Sequence, residues 1–197
     1  MGTGPWNHNI HYHDVVLRSV PPNCRRALDV GCGQGLLTRR LASCCEQVIG
    51  IDIDPDTLVC AKAASHSEQS VSFIEGDVMT HPLPDDSFDL IAAVATLHHL
   101  PLRPALARFQ QLLRRGGMLA VIGLYRASTF EDYVSAALAL PSSWILRCLR
   151  SHADVAAPVQ DPRETLQEIR SVSNVMLPGA AVERRLLFRY SLIWRKT

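Results

Sequence analysis

The stretch "LDVGCGQG", residues 28–35, decides the fold. It continues a short apolar strand, "RALDVG" (26–31), into glycines at positions 31, 33 and 35. A helical pattern follows at once in "LLTRRLAS", with Leu37 and Leu41 four apart and Arg39 and Arg40 on the other face. Glycine lets the backbone turn sharply and approach a ligand, and the first turn of a helix offers unpaired N–H groups. Strand, glycine-rich loop and helix in that order predict a nucleotide-type site. A second strand, "QVIGIDI" (47–53), ends near Asp52, about twenty residues on, where such folds grip a ribose diol.

Outward from this unit the alternation continues. Asp54-Pro55 supplies an N-cap acid and a proline at the first helical position, and "DTLVCAKAA" extends the helix. "VSFIEGD" (71–77), "FDLIAAVATL" (88–97) and "MLAVIGLY" (118–125) are the third, fourth and fifth strands. Pro104 is expected to open a helix with Leu106, Phe109 and Leu113 on one stripe, which Gly116-Gly117 stops. This pattern predicts an α/β protein with a parallel sheet covered on both faces. Beyond Tyr125, residues 129–150 and 162–172 look helical. The tail "AAVERRLLFRYSLIWRK" alternates as two strands closing a sheet edge, with Arg189 and Trp194 placed to protect it.

The chain has 197 residues, enough for one domain that buries about 70% of its unfolded surface. Its 47% hydrophobic and 20% charged residues are ordinary for a globular protein, and a net charge of +1 favours neither nucleic acid nor an anionic membrane. Six cysteines make no CxxC and no zinc-type spacing, which points to buried thiols in a reducing compartment. The N-terminus lacks a basic start and an apolar run, and no stretch is long enough to span a membrane. A cytoplasmic protein is expected.

Two ligand classes compete for the glycine loop. A dinucleotide fingerprint, GxGxxG, needs glycine or alanine at position 36, where Leu36 stands. Asp29, two residues before the first glycine, would repel a pyrophosphate and suits a ligand carrying an ammonium group, held directly or through water. A nicotinamide oxidoreductase is therefore the weaker alternative.

"ALDVGCGQG", "VIGIDIDPDTLVCAKA", "FIEGDVMTHPLPDDSFDLIAAVATLHHL" and "LLRRGGMLAVIG", in that order across residues 26 to 125, resemble the class I S-adenosylmethionine-dependent methyltransferases of the small-molecule branch. The resemblance implies a Rossmann-like, three-layer αβα domain over 1–197, its seven strands ordered 3-2-1-4-5-7-6 with strand 7 antiparallel. It implies that Asp29, Gly31, Cys32 and Gly33 line the methionine end, that Asp52 takes both ribose hydroxyls, and that Ile53 lies against adenine. Asp77 would accept from the adenine amino group beside the Val78 backbone, and Ala93 and Val94 would border the amine and sulfonium. Asp77 has a second role open to it as a loop cap, and Cys32 suits a small filler between glycines better than a nucleophile.

A sulfonium methyl is already activated, so positioning does most of the work and a base is needed only for a protonated acceptor atom. His98 in "LHHL", His11 and Tyr125 are the base candidates, with a structural histidine the competing role for His98. No Asn/Asp-Pro-Pro-Tyr/Phe string follows the fourth strand, which disfavours adenine or glutamine-amide amino groups as acceptors. No carboxylate stands there for a catechol-type magnesium site. A small, partly apolar acceptor under a helical lid at 129–175, around Trp144, is expected, with a plain core helix as the alternative. A protein that binds the cofactor without turnover is the second functional possibility.

The opening "NHNIHYHD" (7–14) holds three histidines, and on a helix His8, His11, Tyr12 and Val15 share one face while His13 falls opposite, with Ile10 and Leu17. Those histidines cannot converge on one ion, so no metal site is expected. In similar proteins such a segment crosses the cofactor. Residues 1–22 are expected to do so here, with Tyr12 aimed at the methionine carboxylate and Asn9 or His11 as neighbours.

Overall fold

The computed structural model describes residues 11–128, 161–186 and 188–197. Its elements are α1 (His13–Arg18), β1 (Cys24–Val30), α2 (Leu36–Leu41), β2 (Cys45–Asp52), α3 (Pro55–Ala64), β3 (Val71–Glu75) and β4 (Phe88–Val94). After a 3-10 turn at Leu97–His99 come α4 (Leu102–Leu112), β5 (Leu113–Leu124), α5 (Leu166–Met176), β6 (Ala181–Arg185) and β7 (Arg189–Arg195). Among the described residues the strands form one seven-stranded sheet, ordered β3-β2-β1-β4-β5-β7-β6. The first five strands pair in parallel, and β7 runs antiparallel to both β5 and β6. This is the expected doubly wound Rossmann-like sheet.

Side-chain alternation splits the core in two. Leu28, Val30, Ile49, Ile51, Ile91, Ala93, Leu119 and Val121 face α4 and α5, which add Leu106, Phe109, Leu166 and Ile169. Ala27, Val48, Leu90, Ala92, Ala120 and Ile122 face the other way, onto Val16 of α1 and Leu37 and Leu41 of α2. A period of two with both faces apolar is what a parallel sheet between helical layers requires. The same alternation puts Asp29 on the α2 face.

Several boundaries differ from expectation for identifiable reasons. Helix α4 starts at Leu102 after Pro101 and ends at Leu112, so Gly116-Gly117 do not stop it. Those glycines lie in a bulge of β5, where the register jumps from Phe88↔Leu113 to Leu90↔Met118 and Gly116 adopts φ +80°. The helix end is closed instead by Lys196, whose Nζ donates to the carbonyls of Gln110 (2.7 Å) and Leu113 (2.6 Å) and to Asp86 (2.7 Å). Helix α5 begins at Leu166 because Thr165 and Glu168 form a reciprocal capping box. Of the lid expected over 129–175, the part in α5 is built into the core layer through Leu166 and Ile169, while residues 129–160 lie outside the described residues. Strand β7 is interior and β6 is the edge, so neither Arg189 nor Trp194 guards an edge. Trp194 is buried and donates its indole N–H to the Pro178 carbonyl at 3.0 Å.

At the amino end of the sheet the buried Asp89 carboxylate accepts the backbone N–H groups of Arg25 and Arg26, both at 2.9 Å, and pairs with Arg114. Asp89→Ala leaves those N–H donors without their acceptor. Urea unfolding of this variant is expected to show a loss of about 2–4 kcal/mol.

Candidate functional site

Gly31, Gly33 and Gly35 adopt φ of +68°, +49° and +71°, backbone conformations that side chains rarely tolerate. Gly31 has a second constraint. A Cβ there would overlap the Thr96 side chain, so the loop after β1 and the segment after β4 pack backbone against side chain. Gly33 differs: a Cβ there would meet nothing within 4 Å, which leaves that side of the loop open.

The loop is held by two carboxylates. Asp52, at the end of β2, accepts the Gly33 N–H at 2.7 Å on one oxygen and the Asp54 N–H at 3.0 Å on the other. Each carboxylate oxygen retains a second lone pair. Asp54 itself caps α3 through the Asp56 N–H at 3.0 Å. Asp29 is 2% exposed and accepts the Thr38 hydroxyl at 2.7 Å, tying β1 to α2. Burial raises its pKa from the ordinary 3.8 to about 7, against the Thr38 hydrogen bond and with help from the Asp52 charge.

Cys32 points inward, packed where a Cβ on Gly50 would stand, and burial pushes its thiol pKa up. It is a filler between glycines, not a nucleophile. Ile53, next to Asp52, is 70% exposed, an unusual place for a large apolar side chain. Asp77 is exposed and caps its own turn, accepting the Met79 N–H at 2.9 Å, while Val78 is buried. Ala93 is buried and Val94 half-buried at the end of β4. There the chain takes a left-handed step at Ala95, φ +55°, and the Ala95 N–H reaches the Ile122 carbonyl at 2.7 Å.

His98 follows in the 3-10 turn, its ring 4.0 Å from that of His99. Its Nδ1 is buried without a hydrogen-bond partner among the described residues. Burial, then the His99 and Arg189 charges, lowers its pKa to about 4, so it is neutral at pH 7.

The N-terminal segment departs from the expected helical wheel. Tyr12 precedes α1 as its N-cap residue, and Tyr12 and His13 both turn inward with Val16. The Tyr12 hydroxyl lies on the β6–β7 turn, donating to Leu186 O at a long 3.4 Å. His13 packs in the interior with a pKa lowered to about 4 by burial, whereas His11 is exposed and stands edge-on to the Tyr12 ring at 5.1 Å. Asn9 and His8 lie outside the described residues. Tyr125 is buried in the core with its ring against Phe188, away from solvent.

Thr38 and Thr96 were not singled out as site residues from sequence. Thr38 sits nine residues after Asp29, and Thr96 meets Gly31 across 65 positions, so neither pairing leaves a local spacing signal.

A buried carboxyl with a raised pKa favours the fold most when protonated. Asp29 therefore contributes a fall in stability as pH rises from about 4 to about 7. His13 and His98 contribute the opposite, because their lowered pKa values disfavour the fold as they protonate. The Asp29 part is read as the difference in melting temperature between wild type and variant. Asp29→Asn, which keeps an acceptor for Thr38, should remove that fall in differential scanning calorimetry.

The methyltransferase-domain family model matches residues 28–121. An uncharacterized methyltransferase of Mycobacterium tuberculosis (strain ATCC 25618 / H37Rv) is 35% identical over 197 residues, covering 97% of each chain. The trans-aconitate 2-methyltransferase of Deinococcus radiodurans is 33% identical over 127 residues, 59% of this chain and 48% of that one. Among solved structures, a SAM-dependent methyltransferase from Aquifex aeolicus superposes with a TM-score of 0.65 at 16% identity, covering 94% of this chain and 89% of that one. The open glycine loop, its Asp52 brace and the acid at Asp29 suit a ribose-bearing ligand with a cationic amino-acid arm. With a relative matched end to end over that loop and that strand order, this chain belongs to the class I S-adenosylmethionine-dependent methyltransferases.

Proposed function

We propose that this enzyme methylates a small, partly apolar molecule in a reducing, cytoplasmic setting. The described cysteines Cys24, Cys32, Cys44, Cys45 and Cys60 are free thiols, which suits that compartment. The Deinococcus relative is named for a small-molecule acceptor, which favours the same class here. No described helix is long and apolar enough to cross a membrane.

S-adenosylmethionine supplies an activated methyl group, and the chain's task is to hold the donor and aim the acceptor. Asp52 would take the ribose hydroxyls on its remaining lone pairs, and the exposed Ile53 would cover one adenine face. Asp77 and the Val78 backbone would meet the adenine amino edge. Gly31, Cys32 and Gly33 would border the methionine arm with Asp29 supplying negative charge beneath it, and Ala93 and Val94 would wall the reacting end. Tyr12 would close the mouth from the N-terminal side. Such positioning can lower a barrier by about 7–11 kcal/mol.

The observation that carries this assignment is the Asp52 carboxylate beside an open Gly33. Titration calorimetry with S-adenosylhomocysteine tests it. Asp52→Ala is expected to weaken binding about 100-fold or more while the far-ultraviolet spectrum stays native, since two charge-assisted hydrogen bonds are lost. Unchanged affinity would overturn the assignment.

His98 would take a proton from the acceptor, being neutral at pH 7 and lying in the 3-10 turn that follows β4. His98→Asn should lower kcat by about 10²–10⁴-fold. It should also abolish an acid limb in the kcat profile, because protonating the wild-type imidazole below its pKa removes the base. A pH-independent loss would instead mark a structural histidine.

A further inference from the structure

The loop after β3, "VMTHPLPDD" (78–86), is tied to the body of the protein by one guanidinium. Pro82 and Pro84 have no N–H, so the loop lacks two of the backbone donors that could pair its own carbonyls. The Thr80 and His81 N–H groups turn back to the Asp77 carbonyl at 3.0 and 2.7 Å. Arg108 of α4 meets the carbonyls of Val78, His81 and Leu83 from outside. Its Nε donates to Val78 O at 3.3 Å, and Nη2 donates to His81 O at 3.0 Å and Leu83 O at 3.4 Å. Nη1 pairs with the Asp85 carboxylate at 3.3 Å. A planar fork of N–H donors suits such a convergent set of oxygens. Buried Leu106 and Phe109 fix α4 in the core on either side of Arg108, so the clamp stands on a rigid element.

One of these bonds leads to Asp77. Val78 O and the Met79 N–H are the two ends of a single planar peptide unit. Arg108 holds the oxygen end, and the Asp77 carboxylate accepts from the nitrogen end at 2.9 Å through Oδ1. Tilting that peptide would tilt the carboxylate with it. A cation on the carbonyl also polarises the peptide and strengthens its N–H as a donor. Burial of Val78 and Leu83 holds the loop against the core, but apolar contact is non-directional and does not set a peptide plane. Asp77 is itself exposed, so its aim depends on these hydrogen bonds rather than on packing.

We propose that Arg108 is a positioning residue of the donor site: through the Val78–Met79 peptide it orients Asp77, and so sets a preference for a 6-amino purine over a 6-oxo purine. This rests on the placement of adenine at Asp77 in the function above. The second carboxylate oxygen, Oδ2, takes no hydrogen bond from the described residues and is the one that would accept from the amino group. An oxo group in the same place would bring its oxygen against a carboxylate, two acceptors with no proton between them. Discrimination of this kind depends on where the acceptor points, since a carboxylate free to turn can move away from the oxo group and find water. Arg108 acts at a distance from the purine, and its effect is confined to the base because the ribose and amino-acid arm are assigned to Asp52 and the glycine loop.

Calorimetry on the full chain with S-adenosylhomocysteine and S-inosylhomocysteine, which carry an amino and an oxo group at purine position 6, tests the proposal. Wild type should bind the adenosyl compound about tenfold or more tightly than the inosyl one. Arg108→Gln should shrink that preference about fivefold or more by weakening the adenosyl compound, with the inosyl compound within about twofold of wild type. Arg108→Lys, which can still donate to one carbonyl, should keep part of the preference, and it decides the matter if the glutamine variant does not fold. In an Asp77→Ala background, Arg108→Gln should change the preference no further. A preference undiminished in the Arg108 variants, equal weakening of both compounds, or the same change in the absence of the Asp77 carboxylate would each overturn the proposal, because Arg108 would then only hold the loop. Equal binding of the two compounds by the wild type would overturn it together with the placement of adenine at Asp77. Failure of the wild type to bind S-adenosylhomocysteine at all would sink the donor assignment instead.

Discussion

The hydrogen bond from the Gly33 N–H to the Asp52 carboxylate joins the glycine loop after β1 to the end of β2, the two halves of the proposed donor site. A glycine loop in three successive left-handed steps has no regular backbone ladder to stabilise it. Asp52 supplies a substitute at the end of β2, and the Gly31 N–H adds a 2.8 Å bond to the Ile51 carbonyl one residue earlier. The loop therefore inherits the position of a central parallel strand pair, which is rigid because both its faces are buried. A site on such a brace is pre-organised, so little ordering accompanies ligand binding.

Beside this rigid loop the sheet holds a buried acid. Asp29 is kept out of water, where its carboxylate is costly. In the proposed donor complex a ligand cation would relieve that cost. Thr96, in the segment after β4, fills the space that any residue but glycine would occupy at position 31.

Much of this was legible in the chain itself. The alternation of strands and helices, the two apolar faces, the glycine loop, Asp52 and the Asp54-Pro55 cap are all local patterns, set by spacings of two to four residues or by one motif. The strand order, by contrast, followed only from the family resemblance. The capping box at Thr165 and Glu168 was equally local and would have placed the start of α5 correctly. The end of α4 was not legible, because Lys196, 83 residues beyond Leu113, closes it and the glycines that suggested a stop belong to a bulge.

What the sequence by itself determined is the architecture and the donor class, since backbone conformation and side-chain alternation are encoded over short spans. Tertiary structure alone decided that Asp29 faces Thr38, that Tyr12 turns to the β6–β7 hairpin, and that Arg189 stands in an interior strand rather than on an edge. Those outcomes depend on which strand lies beside which. The antiparallel return of β7 between β5 and β6 brings residue 189 beside Leu124 at the end of β5, a juxtaposition set by hydrogen-bonded register across the sheet and by no spacing along the chain.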